Sequence, residues 1–148
     1  MGEVTIRRGE WVVVCDGAKA LVLENAGDAI SPNLKTREVY EQKNLPTHAQ
    51  GTDVPGRAIN SVGDARSAME QTDWHDRAEQ SFLENLVKRL DAAVSAGEAK
   101  SIILAAPPRA LGMIRPALTD ALRAAVRVEI DKDLVKMPVH EIEKYIKA

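Results

Sequence analysis

The residues of this sequence that are best suited to ligand chemistry are cations spread along the chain. They are Lys19, Arg57, Arg66, Arg109 and Lys132. A guanidinium can donate two parallel hydrogen bonds to one phosphate group, and a lysine ammonium adds a point charge. If the folded chain gathers these side chains, they form an anion site for phosphate or for an RNA backbone. Taken singly, each is more often a solvated cation, and Lys132 can pair with Asp131 or Asp133.

Arg109 has the most informative local context of these cations. It follows an apolar run, residues 101–106, that predicts a central strand buried on both faces. Pro107 and Pro108 end that strand, and Pro108 suits the first position of a helix. Arg109 is therefore expected near the N–H groups of a helix at the carboxyl end of a strand, where open α/β sheets usually hold their ligands.

Three further residues, Asn60, Ser61 and His75, carry groups that catalysis often uses. A serine nucleophile needs a base within hydrogen-bond reach, and the sequence does not place His48 or His75 beside Ser61. The G-x-S-x-G pattern of a nucleophile elbow is also missing. Turn chemistry explains Asn60 and Ser61, and capping or packing explains His75. We therefore assign no catalytic residue.

The histidines do not form a metal-ligand pattern. His48, His75 and His140 are scattered, and only Glu79 stands one helical turn from His75. We predict neither a metal site nor a cofactor.

The bulk properties favour an ordinary globular chain in a reducing compartment. Its 148 residues suit one domain, and the net charge of −2 gives no overall basic field that would attract nucleic acid. Cys15 is the single cysteine, so no internal disulfide can form. Neither a transmembrane run nor a secretory signal is recognisable. We expect a cytoplasmic protein without a membrane partner.

Hydrophobic period and turn residues divide the chain into strands and helices. Strands are predicted at residues 10–15, 18–25, 35–43, 101–106 and 126–130. Asp16-Gly17 is a strong hairpin signal that usually needs a positive φ, although Asp16 and Lys19 could also face a ligand. The polar strand 35–43 suits a sheet edge, where it could pair with a second copy of the chain.

The helical pattern begins at Asp73 and ends near Gly97, which suits the residue after a helix. A second helix is predicted over 108–125, with a bend or break at Gly112 and Pro116. A terminal helix follows Pro138 and turns four side chains inward, namely Val139, Ile142, Tyr145 and Ile146.

Residues 44–72 are predicted to form a long loop. They hold several prolines and glycines and few large apolar side chains. Loops of this length inside compact domains are usually functional or disordered, so we expect a mobile segment. A short helix at 61–70 is an alternative within it.

The element order predicts an α/β fold in a single domain over residues 1–148. Three strands form a β-meander, and α-β-α-β-α follows it. Parallel crossovers are right-handed, so the sheet is mixed and helices cover its faces in three layers.

Four segments are familiar together: WVVVCDGAKALVLEN at 11–25, GTDVPGRAINSVGDAR at 51–66, APPRALGMIRPAL at 106–118 and IDKDLVKMPVHEIEKYI at 130–146. Through them the chain resembles the bacterial host attachment protein family end to end. The resemblance implies a ribonuclease H-like mixed sheet, related in fold to the middle domain of archaeal and eukaryotic peptide-chain release factors. It thereby implies a role on ribosomes or stalled translation complexes. The Gly-Gly-Gln loop of those factors has no counterpart here, where Gln50-Gly51-Thr52 is the nearest match, so peptidyl-tRNA hydrolysis is not expected.

We therefore expect a non-enzymatic factor that binds a ribosome or tRNA through the cations at the sheet end and through the loop 44–72. One alternative is a hydrolase at the same site, either an esterase or a metal nuclease. A two-metal nuclease would draw on acids from the first strand, a helix and a late strand. The candidates are Asp16, Glu79 or Glu84, and Asp131 or Asp133. The other alternative is an interaction module that dimerises through strand 35–43.

Overall fold

The computed structural model describes residues 5–42 and 64–147, with side chains from Asp76 onward in the second range. The strands are β1 (Trp11–Cys15), β2 (Lys19–Asn25), β3 (Leu34–Glu41), β4 (Ile102–Ala105) and β5 (Val126–Ile130). The helices are α1 (Asp64–Ser95), α2 (Pro108–Ile114), α3 (Asp120–Ala125) and α4 (Val139–Lys147). The order of elements confirms the predicted α/β fold.

The five strands form one mixed sheet in the order β3-β2-β1-β4-β5. β1 pairs antiparallel with β2, and β2 pairs antiparallel with β3. β4 joins the other side of β1 in parallel, and β5 joins β4 in parallel. The carboxyl ends of β1, β4 and β5 therefore lie at one edge of the sheet, which we call the carboxyl edge. Their first residues lie at the opposite edge, the amino edge.

β1 is apolar throughout because both of its faces are covered. Trp11, Val13 and Cys15 pack in the core beneath α1, α2 and α3. Val12 and Val14 belong to the core on the other face, where α4 contributes Ile142 and Ile146. Alternate residues of a strand point to opposite faces, so a buried central strand carries no polar side chain.

α1 begins at Asp64, nine residues before the predicted start at Asp73, so the predicted loop 44–72 is wrong over residues 64–72, and the alternative helix at 61–70 is confirmed over residues 64–70. The first turns of α1 hold small and polar residues, and a helical period cannot be read without large apolar side chains. The rest of that predicted loop, residues 44–63, lies outside the described residues.

The predicted end of α1 is confirmed. Gly97 has a φ of +80°, which a residue without Cβ adopts without strain. The N–H of Gly97 donates to the carbonyl of Val94 at 3.1 Å, and that of Glu98 donates to the carbonyl of Ala93 at 2.8 Å. These two bonds form a Schellman motif.

The predicted break in the helix over 108–125 is also confirmed, and Pro116 causes it. A 3-10 turn at Arg115–Ala117 separates α2 from α3, and Thr119 caps α3 by accepting a bond from the N–H of Leu122. Gly112 lies inside α2 without breaking it.

The face of α4 is predicted correctly except at Tyr145, which is exposed. Ile142 and Ile146, four residues apart, already fill the core-facing stripe. Among the described residues no helix is both long enough and apolar enough to cross a lipid bilayer.

Candidate functional site

The carboxyl edge collects the turns that follow the parallel strands. Asp16 follows β1, Pro107 follows β4 and Asp131 follows β5. Lys19 begins β2 at this same edge, since β2 runs antiparallel to β1. Three of the five predicted cations, Lys19, Arg109 and Lys132, therefore lie at one edge of the sheet.

The turn from β1 to β2 is held by the carboxylate of Asp16. Its Oδ1 accepts hydrogen bonds from the N–H groups of Ala18 and Lys19, both at 2.8 Å. The predicted positive φ is wrong, because Gly17 does not have one. The N–H of Lys19 donates to the side chain of Asp16 rather than to a backbone carbonyl across the turn, so the mirror-image turn of a two-residue hairpin is not needed.

Gly17 is small because a helix side chain passes over it. A Cβ at this position would lie 2.8 Å from Cγ and Cδ of Glu79, on α1. The carboxylate of Glu79 can therefore lie directly against the turn and reach across to α2.

Arg109 lies in the first turn of α2 and is bound by two acids from α1. Its Nε donates to Oε1 of Glu79 at 3.0 Å, and its Nη2 donates to Oδ1 of Asp76. These bonds to Glu79 and then Asp76 raise the pKa of Arg109, so the guanidinium stays charged. The side chain is still 58% exposed, so much of it faces solvent.

The other two cations are more weakly held. Lys19 Nζ lies 3.8 Å from the carboxylate of Glu41 at the end of β3, and both side chains are exposed. Lys132 is exposed and makes no ion pair with any described acid. Asp16, Asp131 and Asp133 lie at the same edge, so the described part of the carboxyl edge carries mixed charge.

A cavity of about 290 Å³ opens between the β1–β2 turn, α1 and α2. Asp16, Glu79 and Arg109 supply its polar wall, and its apolar wall comes from Leu83, Pro107, Ala110 and Met113. A small or extended ligand can contact Arg109 from this side.

A family model described as "Protein required for attachment to host cells" matches residues 11–146. The chain belongs to this host attachment family. An uncharacterized protein of Rickettsia prowazekii (strain Madrid E) is 36% identical over 66 residues, which cover 43% of this chain and 44% of that relative. The match thus spans less than half of the relative's length.

The side chains of the remaining predicted site residues of this host attachment family member lie outside the part that the structure describes. Arg57, Asn60 and Ser61 lie outside the described residues. Arg66 and His75 lie in α1, where only the backbone is described. The roles of these five side chains in the site therefore stay predictions.

The described residues do not assemble the geometry that the nuclease alternative requires. Among the side chains of 5–42 and 76–147, no three His, Cys, Asp or Glu groups come close enough to hold a metal ion. The esterase alternative depends on Ser61, outside the described residues. Burial, followed by the charges of Asp16 and Asp133, raises the pKa of the Cys15 thiol to about 12, so this cysteine is no nucleophile at neutral pH.

Sequence reasoning missed the role of Asp76 and Glu79 as partners of Arg109. Glu79 was considered only as a possible metal-site acid, whereas its spacing of three residues from Asp76 puts both carboxylates on one side of α1. That spacing indicates a pair of acids on one side of the helix. The sequence alone does not show that α2, with Arg109, packs against that side.

Proposed function

We propose that this host attachment family member is a non-enzymatic cytoplasmic protein that binds a ribosomal or RNA-containing partner through its carboxyl edge. The main support is the position of Arg109, a permanently charged and largely exposed guanidinium at the rim of a cavity. Lys19 and Lys132 lie at the same edge, at the start of β2 and after β5, on either side of the turn between β4 and α2 that precedes Arg109. Contacts of this kind to a phosphate backbone need cations and no catalytic group.

The acids beside Arg109 give this proposal a specific mechanism. Asp76 and Glu79 hold the guanidinium in one orientation while no phosphate is bound. An incoming phosphate takes over some of these donors, and the ion pairs at this exposed position are weak enough to exchange. The acids then lower non-specific binding, because a ligand has to compete with them.

The first test compares Arg109→Ala with Arg115→Ala in binding to purified ribosomes and to tRNA. Arg115 is a matched control because it is also an exposed arginine paired with an acid, Glu129, at 2.8 Å. We expect Arg109→Ala to weaken binding about three- to tenfold at low salt and to reduce the slope of log K against log salt by about 0.7 to 1. Arg115→Ala should keep the wild-type slope. Wild-type protein that binds neither particle at low salt, or binds with no salt slope, contradicts the proposal.

The second test removes the competing acids. The double variant Asp76→Asn with Glu79→Gln should bind the same RNA particles several-fold more tightly, because phosphate no longer displaces a carboxylate from Arg109. Adding Arg109→Ala to this variant should abolish the gain. Unchanged affinity in the double variant would show that Arg109 makes a structural ion pair only.

A second candidate function is self-association through β3. β3 is an edge strand with no described strand on its outer side, and Val39 on it is half-exposed. Sedimentation of the wild type should then show a dimer that Val39→Lys converts to a monomer. A monomeric wild type at all accessible concentrations would exclude this candidate.

A further inference from the structure

The amino edge of the sheet contains a second pocket, remote from the carboxyl edge. It has a volume of about 360 Å³ and lies between the turn before β1, the end of α1 and the start of β4. Its charged and polar wall consists of Arg7, Arg8, Glu24, Glu98, Lys100 and Ser101, with Glu10 below them. Volumes of this order hold small organic ligands.

The acids of this wall are all engaged by cations elsewhere. Glu10 is buried and accepts bonds from both Nε and Nη2 of Arg127 at 2.8 Å. Glu24 pairs with Arg37 at 2.8 Å, and Glu98 pairs with Arg89 at 3.2 Å. Glu10 and Glu24 are thus each matched by an arginine, whereas Glu98 is only partly neutralised, because Arg89 also binds Glu38.

The cations of the wall have no such partners. Arg7, Arg8 and Lys100 are exposed, and none of them makes an ion pair with an acid of the described chain. Arg8 donates only a long bond, 3.5 Å, to the carbonyl of Gly27, and its charge contributes to lowering the pKa of Asp28, after the N–H groups of Ser31 and Ile30. The pocket thus combines three cations that make no described ion pair with acids that are paired with other residues.

Two glycines line the pocket. Gly9 and Gly97 both line it, and they are the two residues of the described chain with a positive φ, +75° and +80°. No atom lies within 4 Å of the position a Cβ would take at either one. Solvent and ligand can therefore approach the backbone between the cations.

We propose that the amino-edge pocket binds a phosphate monoester group. Two guanidinium groups can bind its oxygens in pairs, and the ammonium of Lys100 supplies a third charge. The doubly charged monoester suits a site with several cations better than a singly charged diester does. The group can belong to a small nucleotide or to the 5′ end of an RNA. This site is separate from the proposed carboxyl-edge function, so either can fail without the other.

The test measures binding of adenosine 5′-monophosphate, and of one short RNA with either a 5′-phosphate or a 5′-hydroxyl, to the full chain at low salt. The double variant Arg8→Ala with Lys100→Ala removes two of the three cations. It should weaken binding of the phosphorylated ligands at least about tenfold. Lys136→Ala with Lys144→Ala is the control, because both lysines are exposed and neither lines the pocket, so this variant should bind as the wild type does. Circular dichroism checks that all variants are folded.

The binding experiment distinguishes the two possible sources of the phosphate monoester. Binding of the mononucleotide that the double variant loses assigns the site to a small nucleotide, and binding of the 5′-phosphorylated RNA alone assigns it to an RNA end. The proposal is overturned if neither ligand binds the wild type. Equal binding of the 5′-phosphate and 5′-hydroxyl RNAs, when the mononucleotide does not bind, overturns it as well, and so does equal loss of binding in the double variant and the lysine control.

Discussion

Glu10 shows how one buried acid can be kept charged. Its carboxylate accepts bonds from Arg127, from the Ser101 hydroxyl at 2.5 Å and from the N–H of Arg7 at 2.9 Å. Burial alone would raise the pKa of Glu10, but the bonds from Arg127, Ser101 and Arg7 outweigh it and lower that pKa below 4.5. Removal of one partner from such a pair leaves an uncompensated charge.

We therefore predict that Glu10→Gln lowers the free energy of unfolding by about 3 kcal/mol at neutral pH. Because the folded pKa is lowered, the contribution of Glu10 is fully present above its ordinary value of 4.5 and is lost as the pH falls through the folded value. Urea unfolding at neutral and acid pH should show the difference between variant and wild type shrinking in acid. The exposed Glu84→Gln is the control, and a Glu10→Gln variant as stable as the wild type would contradict the prediction.

Cys15 allows a separate test at the residue scale. The thiol is fully buried and its pKa is raised to about 12. We predict no reaction with a thiol reagent near pH 8 in the native protein, and one equivalent of reaction after denaturation. Rapid labelling of the native protein would show that β1 opens readily.

Gly27 and Gly112 differ in the space around them, because Gly27 lies in a tight turn and Gly112 lies at an exposed position of a helix. At Gly27, a Cβ would lie 2.3 Å from the backbone carbonyl of Ser31, and the backbone cannot yield as a long side chain can. At Gly112, inside α2, no atom lies within 4 Å of a Cβ. The same substitution should therefore have opposite effects at the two positions.

We predict that Gly27→Ala lowers the free energy of unfolding by about 2 kcal/mol, since the turn has to shift. Gly112→Ala should raise it by about 0.5 to 1 kcal/mol, because alanine restricts the unfolded chain and favours the helix. Chemical denaturation measures both, and each variant serves as the other's control. A shift in the same direction for both would contradict this interpretation of the turn.

The elements that the sequence predicted best are those with strong local signals. β5 has the predicted bounds, and Pro108 and Pro116 begin α2 and break the helix as expected. The early part of α1 was predicted only as an alternative short helix, separate from the main one, because its residues give no apolar period. The buried contact between Glu10 and Arg127 was missed because it joins residues 117 positions apart, and an arginine within an apolar strand was its only sequence signal.

At the scale of the whole molecule, the order of the strands in the sheet determines which strands are most protected from solvent. β1 and β4 are central and fully buried, whereas β3 forms one edge with mostly exposed side chains. The site residues followed this topology only in part. Shared strand ends predicted the neighbourhood of Lys19, Arg109 and Lys132, but the acids that pair with Arg109 depend on how α1 packs.

Amide hydrogen exchange should be slower in the buried central strands than in the exposed edge strand. We predict the slowest exchange in β1 and β4, where opening requires global unfolding, and exchange faster by orders of magnitude on the outer side of β3. Mass spectrometry of peptic peptides resolves these strands. Slow exchange along all of β3 would show that another chain covers the edge, as in the dimer considered above.

The pairing of Glu10 with Arg127 has a consequence for the order of synthesis. The ribosome makes β1 and β2 first and β5 last of the five strands, so the carboxylate of Glu10 stays in water until β5 emerges. A nascent chain stopped before Arg127 could close its core only around an unpaired charge. We expect such truncated chains to stay loosely folded and to be cleaved rapidly by proteases, and the sheet to become rigid only when its last strand has docked.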